Sequence, residues 1–206
     1  MKLVIFGSTG SIGHQLVVQA LEQGHTVTAF ARNPAKLEIE HANLTVVQGD
    51  ALDSASVEKA VDGQDAVLCS LGTAKGTIRS EGTRNIVRAM EKAGVSRFIC
   101  LSTLGVGDSR ANLNFFRQHI MFGLLLRRAY ADHTSQEDYV KESRLDWTIV
   151  RPAALTDGNR TGVYRHGFPG TDKTIKGKIA RADVADFMLK QLTDRTYLHE
   201  TPGLSY

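Results

Sequence analysis

The chain has 206 residues, 42% of them hydrophobic and 23% charged, with a formal net charge of +3. That length supports one globular domain with a sizeable core, and so small and dispersed a charge gives no argument for nucleic acid. No apolar run approaches the ~20 residues of a spanning helix, no signal-peptide pattern precedes the first strand, and no H-x-H or H-E-x-x-H pair occurs, so membrane, secretory and metal chemistries are not expected.

Lys2–Phe6 is a short apolar run that passes directly into Gly7-Ser8-Thr9-Gly10-Ser11-Ile12-Gly13. Ile12, Leu16 and Ala20 then recur every four residues up to Gly24, so the order is strand, glycine-rich turn, helix. Gly7 allows a sharp turn, Gly10 leaves room for a pyrophosphate against the backbone, and Gly13 lets the helix pack closely on the sheet. The helix N-terminus offers unpaired N–H groups and a positive dipole end to an anion. The spacing is G-x-x-G-x-x-G rather than G-x-G-x-x-G, and the competing reading is an ordinary βα turn.

His25–Phe30 reads as the second strand, leaving through Ala31-Arg32-Asn33-Pro34. A dinucleotide fold that prefers NAD carries an acidic residue here for the ribose 2′-hydroxyl. Arg32, with Lys36 a helical turn beyond, suits the 2′-phosphate of NADPH instead, and Ser8 and Thr9 could add hydroxyl contacts. The alternative for Arg32 is a solvated surface arginine. Leu44–Gln48 is the third strand. Asp50 follows it, either accepting from an adenine amino group or capping a turn. A short helix runs from Asp53 or Ser54 to Ala60. The fourth strand, Asp65–Ser70, leads to Leu71-Gly72-Thr73, open backbone beside a bound cofactor. The basic stretch 74–80 is a connecting loop or a lid.

A helix over Glu81–Lys92 and a strand over Arg97–Leu101 follow, and Ser102 and Thr103 then put hydroxyls where a dinucleotide's reactive end would lie. A helix over 112–128 carries Phe115, Phe116, Ile120 and Phe122, a stripe suited to core or dimer contact. Helix continues over Ala131–Glu142, and the sixth strand, Asp146–Arg151, closes at Pro152. Residues 153–178 read as a long loop, and a helix from near Asp183 to Leu192 leaves room for at most one more short strand. This alternation predicts a single α/β domain, a doubly wound parallel sheet with helices on both faces. If Asp65 and Arg97 are in register, Cys69 and Cys100 point to opposite sheet faces, as two buried, reduced thiols of a cytoplasmic protein.

Taken together, VIFGSTGSIG, the Arg32 exit, VQGDALD, LCSLGT, SEGTRNIV, FICLST, LDWTIVRP and RADVADFML resemble an atypical short-chain dehydrogenase/reductase. More narrowly the chain is similar to the flavin reductase / biliverdin-IXβ reductase family, over nearly its whole length. The resemblance implies NADPH held by Gly7, Thr9, Gly10, Ser11, Ile12 and Gly13, with Arg32 on the 2′-phosphate. It implies Asp50 and Ala51 near adenine, Leu71, Gly72 and Thr73 along the cofactor, and Ser102 and Thr103 by the nicotinamide as the catalytic pair. Thr103 stands where the family has a serine, and His133 matches a family histidine near the cofactor. Pro152 and Ala153 complete the cofactor set. There the chain departs, because the family places a histidine where Ala153 stands.

The chain also lacks the Tyr-x-x-x-Lys pair with which ordinary short-chain dehydrogenases protonate an alkoxide: four residues after Tyr130, Tyr139, Tyr164 and Tyr197 stand Thr134, Ser143, Phe168 and Thr201. A flavin needs that acid less, because hydride goes to a ring nitrogen and water can supply the proton. The expected activity is therefore NADPH-dependent reduction of a flavin, arriving as a dissociable substrate, or of another conjugated aromatic acceptor such as a linear tetrapyrrole. A monomer or weak homodimer is expected. The competing reading is a non-catalytic NAD(P)H-binding redox sensor or assembly factor.

Overall fold

The computed structural model describes residues 1–72, 77–107, 109, 127–168, 172 and 174–206. The parallel strands are β1 (Lys2–Phe6), β2 (Thr26–Ala31), β3 (Leu44–Gln48), β4 (Ala66–Cys69), β5 (Arg97–Leu101) and β6 (Asp146–Pro152), in the spatial order β3-β2-β1-β4-β5-β6. Helices α1 (Ser11–Glu22), α2 (Ser54–Val61), α3 (Ile78–Ala93), α4 (Arg127–Lys141) and α5 (Arg181–Lys190) complete the alternation. The expected doubly wound α/β fold is therefore present. Chain order reverses between β1 and β4, and the carboxyl ends of those two strands form the crevice where such sheets bind ligands.

Strand alternation distributes the core between the two faces. Leu3 and Ile5 of β1 pack with Leu16, Val17 and Ala20 of α1 and with Val184 and Met188 of α5. Val4 and Phe6 point the other way, onto Val57 of α2, Ile86 and Met90 of α3 and Val140 of α4. Among the described residues no helix is long and apolar enough to cross a membrane.

Three sequence expectations change. The fourth and fifth strands pair Ala66 with Arg97, not Asp65 with Arg97, so Cys69 lies directly opposite Cys100. A one-residue shift of register reverses the face, and both free thiols are buried in one cluster. Helix α3 begins at Ile78, so 78–80 are its first turn rather than loop; the Asp132 carboxylate, reaching across from α4, accepts from the Ser80 N–H at 3.0 Å and the Ser80 hydroxyl at 2.6 Å. The stretch 153–178 contains the short strands β7 (Ala154–Thr156) and β8 (Arg165–His166), and β7 pairs with β9 (Lys178–Ala180). The tail holds the one short strand expected of it, β10 (Gly203–Ser205), which extends the sheet beside β6. The stripe around Phe115–Phe122 lies outside the described residues, as does Thr73.

Candidate functional site

A cavity of ≈ 710 Å³ opens over the carboxyl ends of the central strands. Gly7, Thr9, Gly10, Ser11 and Ile12 line one wall, with Ala31, Arg32 and Lys36 beyond the end of β2. Ala51, Leu71 and Gly72 come from the turns after β3 and β4. Ser102, Thr103, His133, Pro152 and Ala153 close the far end.

The turn after β1 has the form an anion cradle needs. Gly7 has φ +78, and a Cβ there would sit 2.5 Å from the Ser70 carbonyl oxygen. Gly10 caps α1 with an extended backbone, no side-chain hydrogen bond and no acidic residue in the helix's first turn. The helix dipole is thus left uncompensated by the protein at the cavity wall. Gly13 is a packing glycine, since its Cβ would lie 2.0 Å from the Gly7 carbonyl oxygen.

Two of the expected residues are engaged within the protein. Ser8 is fully buried and its hydroxyl donates to the Phe30 carbonyl at 2.9 Å, so it fixes the turn to β2 and cannot face a 2′-phosphate. Asp50 is not in the cavity wall; its carboxylate accepts from the Leu52 N–H at 3.0 Å, which is the turn-capping alternative. Ala51 does line the wall, and its carbonyl is held by the Asn85 amide at 3.0 Å.

At the far end the Ser102 hydroxyl donates to Glu137 Oε1 at 2.7 Å. Arg151 Nε donates to the same oxygen at 2.9 Å and its terminal nitrogen to Glu137 Oε2 at 2.6 Å. Both charged side chains are buried, at 1% and 2% exposure. Burial works to raise the Glu137 carboxyl, but Arg151, Lys141 and Ser102 outweigh it and hold it below the ordinary value. With its proton committed to a carboxylate, Ser102 turns only lone pairs toward the cavity and acts there as an acceptor. The Thr103 hydroxyl has no hydrogen-bond partner among the described residues. The His133 ring is held down to about pKa 4, by burial first and then by the Arg79 cation, so it is neutral at physiological pH.

Sequence reasoning missed Arg79, Ile78, Ser70 and Leu155, all in the wall. Ser70 carried a signal, because it ends β4 beside the glycine turn, and its hydroxyl donates to the Phe6 carbonyl at 3.0 Å. Arg79 was hidden in a stretch read as loop.

An open parallel sheet, a glycine turn into an uncapped helix and paired cations after β2 define an NAD(P)-binding Rossmann protein. The residues present fit such a cofactor: among the described ones no carboxylate lines the cavity, and the cations Arg32 and Lys36 line it beyond the end of β2. A family model described as NAD(P)H-binding matches residues 7–195, and the chain belongs to that family. It is 28% identical to an uncharacterized chloroplast protein of Arabidopsis thaliana, over 93% of this chain and 71% of that one. It is 35% identical to the photosystem II assembly factor Ycf39 of Synechocystis over 77% of this chain, but spans only 46% of that protein. Among solved structures, ChuY of Escherichia coli O157:H7, an anaerobillin reductase, superposes with a TM-score of 0.82 at 27% identity, covering 100% of this chain and 97% of that one.

Proposed function

We propose that this protein is an NADPH-dependent reductase of flavins or similar conjugated acceptors, among them linear tetrapyrroles, and that flavin is a dissociable substrate. The observation that carries the reading is the bond from the Ser102 hydroxyl to buried Glu137. It removes Ser102 as a proton donor in a chain that also lacks a Tyr-x-x-x-Lys pair. His133 is neutral and a poor acid, and Ala153 has no proton to give. Such a site favours acceptors whose reduction needs no acid from the protein.

When bound, NADPH supplies the hydride. Gly7 to Ile12 bind its phosphates through backbone N–H groups and the α1 dipole, and Arg32 and Lys36 select the 2′-phosphate. Ser102 and Thr103 orient the reacting partners by hydrogen bonds, and the buried Leu71 and Pro152 keep water from their parts of the wall. The relationship to an anaerobillin reductase supports the tetrapyrrole branch of the acceptor class.

The similarity to Ycf39 supports a second reading, an NAD(P)H-binding assembly factor without turnover. NADPH oxidation assayed with FMN, FAD, quinones and linear tetrapyrroles separates the two. Turnover with a flavin or tetrapyrrole is expected; tight NADPH binding with no turnover on any of them would support the assembly factor.

A further inference from the structure

Arg79 lies in the cavity wall. It sits in the first turn of α3, and its side chain is 14% exposed. Its guanidinium passes over Gly72, where a Cβ would lie 4.0 Å from the nearer terminal nitrogen, and it is close enough to His133 to depress that imidazole's protonation. Its polar contact among the described residues is one long bond, 3.5 Å, to Asp132 Oδ2. The other Asp132 oxygen already accepts from both the N–H and the hydroxyl of Ser80. Arg79 is therefore tethered at one nitrogen and still holds most of a five-donor fork toward a cavity that no carboxylate lines among the described residues.

A cation held this way suits an anion brought in by a ligand. The cofactor's own anions have other partners: Arg32 and Lys36 lie at the 2′-phosphate end, and the uncapped α1 N-terminus faces the pyrophosphate position. At that helix start a further cation, Arg181, already reaches the Ser11 hydroxyl at 3.1 Å. Arg79 stands instead over Gly72 and beside His133, a residue of the helix α4 that also carries Glu137, the partner of Ser102. We infer that Arg79 is a specificity-determining residue that receives a carboxylate or phosphate carried by the acceptor, so that the preferred substrates are anionic aromatics. FMN would then be preferred to riboflavin, and a tetrapyrrole bearing free propionates to its ester. The inference rests on the reductase reading for the nature of the acceptor, but not for the presence of the anion site.

The test measures binding to the protein loaded with NADP⁺, by titration calorimetry. The probe pairs are FMN against riboflavin, and 2-naphthoate against 2-naphthamide. Wild type is expected to favour the anion of each pair by about ten- to a hundredfold, the worth of one charge-assisted pair. In Arg79→Gln that preference falls to within about threefold, while riboflavin, naphthamide and NADPH bind as before; Arg79→Lys restores part of it. A preference unchanged in Arg79→Gln would overturn the inference. So would a loss of NADPH affinity matching the loss for FMN, which would assign Arg79 to the cofactor. Equal binding of charged and uncharged probes by wild type would overturn it too. If naphthoate shows the Arg79-dependent preference while neither flavin binds nor oxidises NADPH, the anion site stands and the flavin reading falls.

Discussion

On the proposed function, Arg32 and Lys36 select NADPH over NADH. One charge-assisted contact to the 2′-phosphate contributes about 1.5–3 kcal/mol, on the order of ten- to a hundredfold in affinity. NADPH should therefore bind more tightly than NADH, and Arg32→Ala should close that gap with NADH binding unchanged; equal affinities for the two in wild type would contradict the assignment. His133 gives a pH-dependent prediction. Its folded-state pKa is lowered from 6.5 to about 4, so between those values the unfolded chain takes up the proton and the folded chain does not. Stability is thus full above pH 6.5 and falls as pH drops toward 4, by roughly 3 kcal/mol from this group. Replacing it in His133→Gln should flatten that part of the stability–pH curve measured by urea denaturation. The place of Arg32 in the cavity wall was legible because it follows β2 directly. Ser8 was not, because the backbone carbonyl that takes its proton, that of Phe30, comes from a strand 22 residues away.

Two elements position the site. The turn between β1 and α1 divides its glycines between tasks, and substitution should separate them. Gly13→Ala would put a Cβ 2.0 Å from the Gly7 carbonyl, so α1 must move off the sheet, at a cost of about 1–3 kcal/mol or more. Gly10 has φ −78, allowed for any residue, and its added Cβ would be 3.1 Å from the same oxygen. Gly10→Ala should change stability by less than about 1 kcal/mol yet weaken NADPH binding at least about tenfold. Thermal denaturation beside cofactor titration checks both, and unchanged NADPH affinity in Gly10→Ala would remove the phosphate cradle. Helix α4 is the second element. It is docked on β6 by the buried Glu137–Arg151 pair, and Glu137→Gln should destabilise the fold by about 3–5 kcal/mol, since it strands a buried guanidinium. That pair was invisible in the sequence, because Glu137 and Arg151 have no fixed spacing that marks an ion pair.

Over the whole molecule, the strand–helix alternation of a doubly wound parallel sheet was legible from periodicity and punctuation. The register of β4 on β5 was not, because a continuous apolar run such as Ala66–Cys69 gives no alternation to fix which residue faces which side. The short strands β7 to β9 were missed for a related reason: two or three residues are too few to show a period. The cavity joins these scales, bringing the β1 turn, the β2 exit and the ends of β5 and β6 to one edge. On the proposed function, this edge reduces a conjugated acceptor with no proton from the protein. The most direct measurement is the single-turnover rate of FMN bleaching by NADPH, in wild type and Thr103→Val, across about pH 5.5 to 8. The account predicts turnover with no steep pH limb, and a Thr103→Val rate reduced well short of the ~10²–10⁴-fold that follows loss of a general acid. A Thr103→Val protein that binds NADPH and FMN normally but has lost nearly all turnover would contradict it.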